Sequence, residues 1–599
     1  MRRSTLQLVF LILLINAGIL TGFSRSGGGA DGVFSDETEK AGLDFVHFNG
    51  MSGKFYYCEM VGGGGALFDY DSDGDLDLYV IQGHMLGEGD PSGGTGVSRA
   101  GTAPMDRLYR NDLLVQPDGT RRVRFTDVTA ASGIRSLGYG MGVATADFDN
   151  DGWVDLYVMN FGPNQMFRNR GDGTFEDVTA KTGTGDGRWG VSAAFLDYDR
   201  DGWLDLFLGN YVDFRFSNQK LCHAPSGAVD YCGPLGYEPV PNRLYRNRRD
   251  GSFEDVSARS QISREYHGAL GVVAADLNAD GWPDVYVAND QRPNDLWINQ
   301  KDGTFMNESL LAGAAFNRDG MAESSMGVDA ADFDNDGDED LFMTHLKSEK
   351  NTLYTNDGTG FFKDASLEAN LAVSSLPFTA FGTRFFDYDN DGWLDLFAAN
   401  GEVRTIEALA RRGDPYPLHQ PNQLFRNLGD GRFREVTSQA GPVFRLSEVS
   451  RGAAFGDMDN DGDTDVVLFN NNGRTRLLVN RAGTENRWLG LRLVGRKSNR
   501  DALGAWVGVF RERGPTLWRR VRTDGSYASS NDPRILVGLG DSAKVIRVRA
   551  HWPSGLVEEW TGIEAGRYVT LDEGSGEEWN VTRKERNHND THRKEIEIN

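Results

Sequence analysis

A nine-residue pattern, D-x-D/N-x-D-G-x-x-D followed by an apolar run, recurs seven times in this chain and constrains its fold more than any other feature. The copies begin at Asp69, Asp147, Asp197, Asp276, Asp332, Asp387 and Asp457, so successive copies lie 50 to 79 residues apart. That spacing suits one β-propeller blade per copy. It is too long for a β-roll, whose ligands recur about every nine residues. Behind each copy comes an L-x-x-N strand or a near relative, a glycine turn and an F-x-D-x-T-like strand, as in QMFRNRGDGTFEDVT at 165–179 and QLFRNLGDGRFREVT at 423–437. Apolar alternation around such a turn is a hairpin signal. One repeat is therefore four strands.

The seventh copy supplies strands at DVVLFN and TRLLVN and then stops, without an F-x-D-x-T strand. The missing strand is expected from VFSDET, Val33–Thr38, at the other end of the chain. Donating it would close the ring and remove the exposed edges of an open β array. The expected fold is all-β: a seven-bladed β-propeller with an N-terminal strand closing the last blade, plus a small C-terminal β domain. Residues 1–24 read as a signal peptide or N-terminal anchor, 33–484 as the propeller, 485–572 as the C-terminal domain and 573–599 as a disordered charged tail.

Carboxylates held about 4 Å apart repel by roughly 1–4 kcal/mol per pair, so seven clustered copies call for a cation. Calcium takes six to eight oxygens, and a loop offering side chains at positions 1, 3, 5 and 9 and a carbonyl at position 7 supplies them. The position-6 glycine permits the sharp turn. In the first loop the side-chain ligands are Asp69, Asp71, Asp73 and Asp77, with the carbonyl of Asp75. The layout repeats with Asp147, Asp149, Asp151 and Asp155, then with Asp197, Asp199, Asp201 and Asp205. It continues through Asp276, Asn278, Asp280 and Asp284, and through Asp332, Asp334, Asp336 and Asp340. Asp387, Asp389, Asp391 and Asp395, then Asp457, Asp459, Asp461 and Asp465, complete the set. Asn278 removes one charge, so the fourth loop should bind more weakly. About seven calcium ions are expected, which would bring the formal charge of −25 to about −11.

The acidic balance argues against a nucleic-acid partner, since phosphate binding wants a basic surface. Arg2 and Arg3 precede an apolar run from Leu6 to Phe23, which predicts export to an extracellular or periplasmic compartment, either with cleavage or with an uncleaved tether. No other run is long enough to span a membrane. Cys222 and Cys232 lie ten apart in LCHAPSGAVDYCGP, which suits a local disulfide in an oxidising compartment; Cys58 reads as a buried thiol. From 486 to 560 the charge reverses to a local excess of basic residues, so this segment is expected to dock on the acidic propeller. A monomer is expected.

From about 30 to 570 the chain resembles the FG-GAP/VCBS-repeat proteins of the cartilage acidic protein-like family, and NRWLGLRLVGRKSNRDALGAWVGV with HWPSG resembles their ASPIC/UnbV domain. GSYASSNDPRILVGLG and His551 depart from that pattern. The resemblance implies binding or adhesion. Up-and-down connectivity puts the Asp loops on one face and the long insertions, 81–106, 209–242 and 400–422, on the other, where recognition is expected. Glu59, Trp189, His267, Glu323 and Arg451 are the candidate ligand-binding residues at the channel mouth there. Trp153, Trp203 and Trp393 are expected to pack between blades. Without a G-x-S-x-G, H-E-x-x-H or phosphate-loop motif, a calcium-binding module for a protein or glycan is favoured over an enzyme. The alternatives are a polysaccharide hydrolase or lyase, and an assembly or biosynthesis accessory factor.

Overall fold

The computed structural model describes residues 32–86, 104–136, 138–483, 486–542 and 544–579. The expected signal segment, most of the charged tail and part of the first insertion lie outside these. Seven antiparallel sheets carry the repeats. Six have four strands, and in the second a single 15-residue strand, Asp155–Asn169, serves as both middle strands. We number these blades 1 to 7 by their Asp loops. Phe34–Asp36 pairs antiparallel with Arg476–Asn480 as the outer strand of blade 7. The inner strands neighbour one another in cyclic order, with Gly65–Phe68 of blade 1 beside Ser450–Gly456 of blade 7.

A side-chain clasp joins the blades. The asparagine of each L-x-x-N strand donates its amide to the carbonyl of loop position 2 in the preceding blade. Asn169 reaches Tyr70, Asn247 Phe148, Asn299 Tyr198, Asn356 Leu277, Asn427 Phe333 and Asn480 Tyr388, and Asn111 of blade 1 reaches Met458 of blade 7, all at 2.7–2.9 Å. All seven asparagines are buried, so each bond satisfies groups that water does not reach.

The C-terminal domain has two sheets, one of Ile535–Gly540, Arg487–Val494 and Tyr568–Asp572, and a five-stranded one around Trp506–Arg511 and Val545–His551. Its apolar core runs on into the core of blades 2 and 3. It sits on the Asp-loop face: the Arg500 N–H donates to Asn150 and the Tyr568 hydroxyl donates to Asp457. The expected tail boundary at 573 is too early. Glu573 accepts three backbone N–H bonds from Arg496, Lys497 and Ser498, and Glu577–Glu578 pairs with Val557–Thr561, so residues 573–579 complete the domain.

The same domain sends a buried segment, Thr523–Asp532, down the propeller axis. It bonds the inner strand of every blade. Ser530 exchanges backbone bonds with Gly65 and Leu67, the Val143 N–H donates to the Ala528 carbonyl, and the Ala528 N–H donates to Ser192. The N–H groups of Ala274, Val328, Thr383 and Phe455 donate to Asp524, Ser526, Ser526 and Asn531. Innermost strands have one unpaired edge, and this plug satisfies it. Small residues permit the approach: a Cβ on Gly64 would lie 1.9 Å from the Ala528 carbonyl oxygen.

Candidate metal centres and the opposite face

Each Asp loop has one backbone course. Position 4 is left-handed in all seven (Ser72, Asn150, Arg200, Ala279, Asn335, Asn390 and Asn460, φ 55–60°), and the glycine at position 6 is also at positive φ. Asparagine tolerates the left-handed region better than most residues, which accounts for its four appearances at position 4. The turn folds the position-1 carboxylate onto the N–H groups of positions 5 and 6, as Asp69 accepts from Asp73 and Gly74 at 3.1 Å. The position-9 carboxylate spans two strands: Asp77 accepts from the N–H groups of Tyr70 and Asn111.

These bonds leave loop oxygens without a partner, among them Oδ2 of Asp340 in blade 5. The buried Oδ1 at position 3 has none in six loops: Asp71, Asp149, Asp199, Asp334, Asp389 and Asp459. In blades 1, 2, 3 and 6 the oxygens of positions 1, 3 and 9 lie within 4.8 Å of one another, and in blade 5 those of Asp332, Asp334 and Asp336 do. Position 5 otherwise stands at the rim. In blades 2, 3 and 6 an arginine of the L-x-x-N strand pairs with the outer oxygens, Arg168 to Asp149 and Asp151, Arg246 to Asp199 and Asp201, and Arg426 to Asp389 and Asp391. It is the residue before the clasp asparagine in QMFRN, RLYRN and QLFRN, the one sequence signal that could have found it.

The fourth loop differs. Asn278 turns its amide inward, its Oδ1 accepting from the Asp280 N–H at 3.1 Å and its Nδ2 donating to the Asp280 carboxylate at 3.0 Å. The loops share the electrostatic signature of crowded acids, the fourth included, where burial takes Asp276 up to about 6. Burial pushes Asp69 up to about 6, and burial followed by neighbouring aspartates takes Asp459 up to about 8. Asp147 rises to about 8 through burial and then Asp501, a carboxylate of the C-terminal domain that accepts the Asp147 N–H at 2.7 Å. Sequence reasoning missed Asp501, which lies 354 residues away. A buried carboxylate oxygen with no donor, facing other carboxylates, fits a hard cation with oxygen ligands.

The opposite face corrects the channel-mouth expectation. Glu59 is fully buried and accepts from Ser52 and the Tyr231 hydroxyl. Arg451, also fully buried, donates to the carbonyls of Met60, Gly401 and Glu402 with Phe381 4.2 Å from its guanidinium. Glu323 is held by Thr352 and Lys350, and His267 pairs with Asp295 at 2.9 Å, which raises its pKa. Among the described residues no open channel reaches these four, whose polar atoms are taken up by protein partners. The plug enters from the loop side, its Tyr527 donating to the Val61 carbonyl, and Tyr57 with the insertion residues Tyr211, Phe214 and Tyr231 fills the rest. His267 keeps a partly exposed ring, while Trp189, 3% exposed, backs a groove that the half-exposed Phe161 and Phe216 and the buried Phe214 also line. The insertions meet one another, with Asp230 accepting from Thr405, and Cys222 and Cys232 form a disulfide there. Trp153 and Trp393 do not pack between blades: each lies on the hairpin glycine of its own blade, Gly171 and Gly429, where a Cβ would collide with the ring.

The profile of the FG-GAP-like repeat family matches residues 147–208, 232–287, 276–343, 332–398 and 409–468, and that of the ASPIC and UnbV family matches 495–578. Cartilage acidic protein 1 of Homo sapiens is 26% identical over 357 residues, covering 57% of this chain and 50% of the relative. The Mus musculus protein of the same name is 26% identical over 314 residues, covering 51% and 44%. The chain spans about half the length of the curated relatives it matches. Among solved structures, the BP39L lectin of Burkholderia pseudomallei aligns over 71% of this chain and 97% of its own, at 10% identity and a TM-score of 0.39. A lectin of Agrocybe aegerita that recognises non-reducing terminal N-acetylglucosamine aligns over 62% and 79%, at 15% identity and a TM-score of 0.33.

Proposed function

We propose that this chain, in which FG-GAP-like repeats are followed by an ASPIC and UnbV domain, is an exported calcium-loaded binding module that recognises a protein or glycan on the face away from its metal loops. The observation that carries the reading is the position-3 carboxylate oxygen, buried and without a partner in six loops. Six calcium ions held tightly and a seventh held weakly, at Asn278, follow from that pattern. Calcium there is structural: it cancels repulsion between loop acids and fixes the turn entering the second strand of each blade. No step of chemistry is assigned to it.

Recognition on the insertion face rests on the groove between Phe161, Trp189, Phe214 and Phe216, with Arg188 and Arg215 beside it. Phe161 and Phe216 are half-exposed over the buried Trp189 and Phe214, and aromatic and arginine side chains are frequent anchors of binding surfaces. The test is a glycan and protein array probed with purified calcium-loaded protein. Saturable binding that weakens in Phe216→Ala, with the melt unchanged, supports the module. Release of a product from a bound polysaccharide contradicts it and favours a hydrolase or lyase.

A further inference from the structure

Seating the C-terminal domain on the loop face leaves a cavity of about 460 Å³ between the two, beside blades 3 to 5. That volume lies within the usual range of small-molecule sites. Its walls come from both sides: Arg200 and Trp282 from the propeller, and Trp506, Trp518, Arg520 and Trp552 from the C-terminal domain. Trp506 stacks on Trp518 with centroids 5.8 Å apart, and Arg200 lies 5.3 Å from the Trp282 ring. Arg200 also donates to the Pro553 carbonyl across the domain boundary at 2.9 Å, so the cavity exists only in the docked arrangement.

Two wall residues carry buried donors without a partner, Nε1 of Trp552 and Nη2 of Arg520. Arg520 is immobile, because its Nε donates to both oxygens of Glu339 at 3.0 Å. Buried donors left unmade are costly, so a ligand bringing acceptor oxygens to this wall would be favoured. Four indoles on the same walls ask for an apolar face as well. A hydrocarbon would leave the donors unmet, and a small anion would leave the indoles uncovered. A pyranose ring meets both, with C–H groups on its face and hydroxyl oxygens at its edge.

We propose that this cavity is a saccharide site for one or two sugar rings, assembled jointly by blades 3 to 5 and the C-terminal domain. It rests on the binding-module reading for ligand class but lies on the opposite face from the groove described above. The test titrates the full calcium-loaded chain with glucose, N-acetylglucosamine, glucuronate and cellobiose, following tryptophan fluorescence and saturation-transfer NMR. At least one sugar should give a saturable signal, weakened about tenfold or more in Trp282→Ala and Trp506→Ala. Trp552→Phe keeps the wall apolar and removes one donor, so it should weaken the same sugar with an unchanged melt. Leu311→Ala, exposed and outside the cavity, should leave binding intact. No saturable signal with any of the four sugars, or equal binding in Trp282→Ala and Trp506→Ala, overturns the site. Array binding that persists in those two variants would leave the module reading standing without this site.

Discussion

At the scale of single residues, sequence distance hides most of the chemistry. The Asp loops are legible as clusters because their carboxylates fall within nine residues, and the same compactness exposes the exception at Asn278. Replacing Asn278 by Asp breaks the inward amide bonds and frees an oxygen, so calcium stoichiometry by equilibrium dialysis should rise by one tight ion; an unchanged count would show that the amide already serves. Arg451 and Glu59 lie inside the fold rather than at a mouth, and nothing local in the sequence announces that Met60, Gly401 and Tyr231 converge on them. His47 belongs to the same buried group. Burial and then Arg451 lower its pKa to about 4, and its Nδ1 accepts the Asn472 N–H at 3.1 Å. The folded chain therefore binds fewer protons than the unfolded one between about pH 6.5 and 4. The stability this contributes is present above that window and is lost as pH falls through it, up to about 3 kcal/mol. Denaturant midpoints of His47→Gln should accordingly change less than those of the parent over that range, and parallel profiles would contradict the assignment.

At the scale of elements, four-stranded blades and the donated N-terminal strand were readable from the motif order, since hairpin turns and alternation are local signals. The clasp was not. Its asparagine was visible in every L-x-x-N strand, yet its partner is a carbonyl of the preceding blade, and only the closed arrangement reveals the pairing. Removing one clasp leaves a buried carbonyl short of a donor, at a cost of about 1–3 kcal/mol. Asn299→Ala, which deprives both Tyr198 and Pro283 of a donor, should lower the urea midpoint by that order without changing the calcium count. A loss below about 0.5 kcal/mol would make the clasp incidental.

At the scale of the whole molecule, the C-terminal domain is part of the propeller's interior. The basic excess of 486–560 predicted docking, but charge says nothing of the plug, whose GSYASSND has neither a strand pattern nor an apolar run. Small residues were its only sign, and they matter because inner strands approach its backbone from all sides. Tyr527 is fully buried against Phe381, with centroids 4.9 Å apart, and Tyr527→Ala should cost about 3–5 kcal/mol while both bodies still unfold in one transition. Two separate transitions in the parent chain would refute this coupling. The account as a whole stands on cations holding the loops. A thermal melt of the full chain in excess chelator and in millimolar calcium tests that most directly. Each site about 100-fold saturated adds roughly 2.7 kcal/mol, so six sites predict a midpoint raised by many degrees in calcium. Superimposable melts would contradict it.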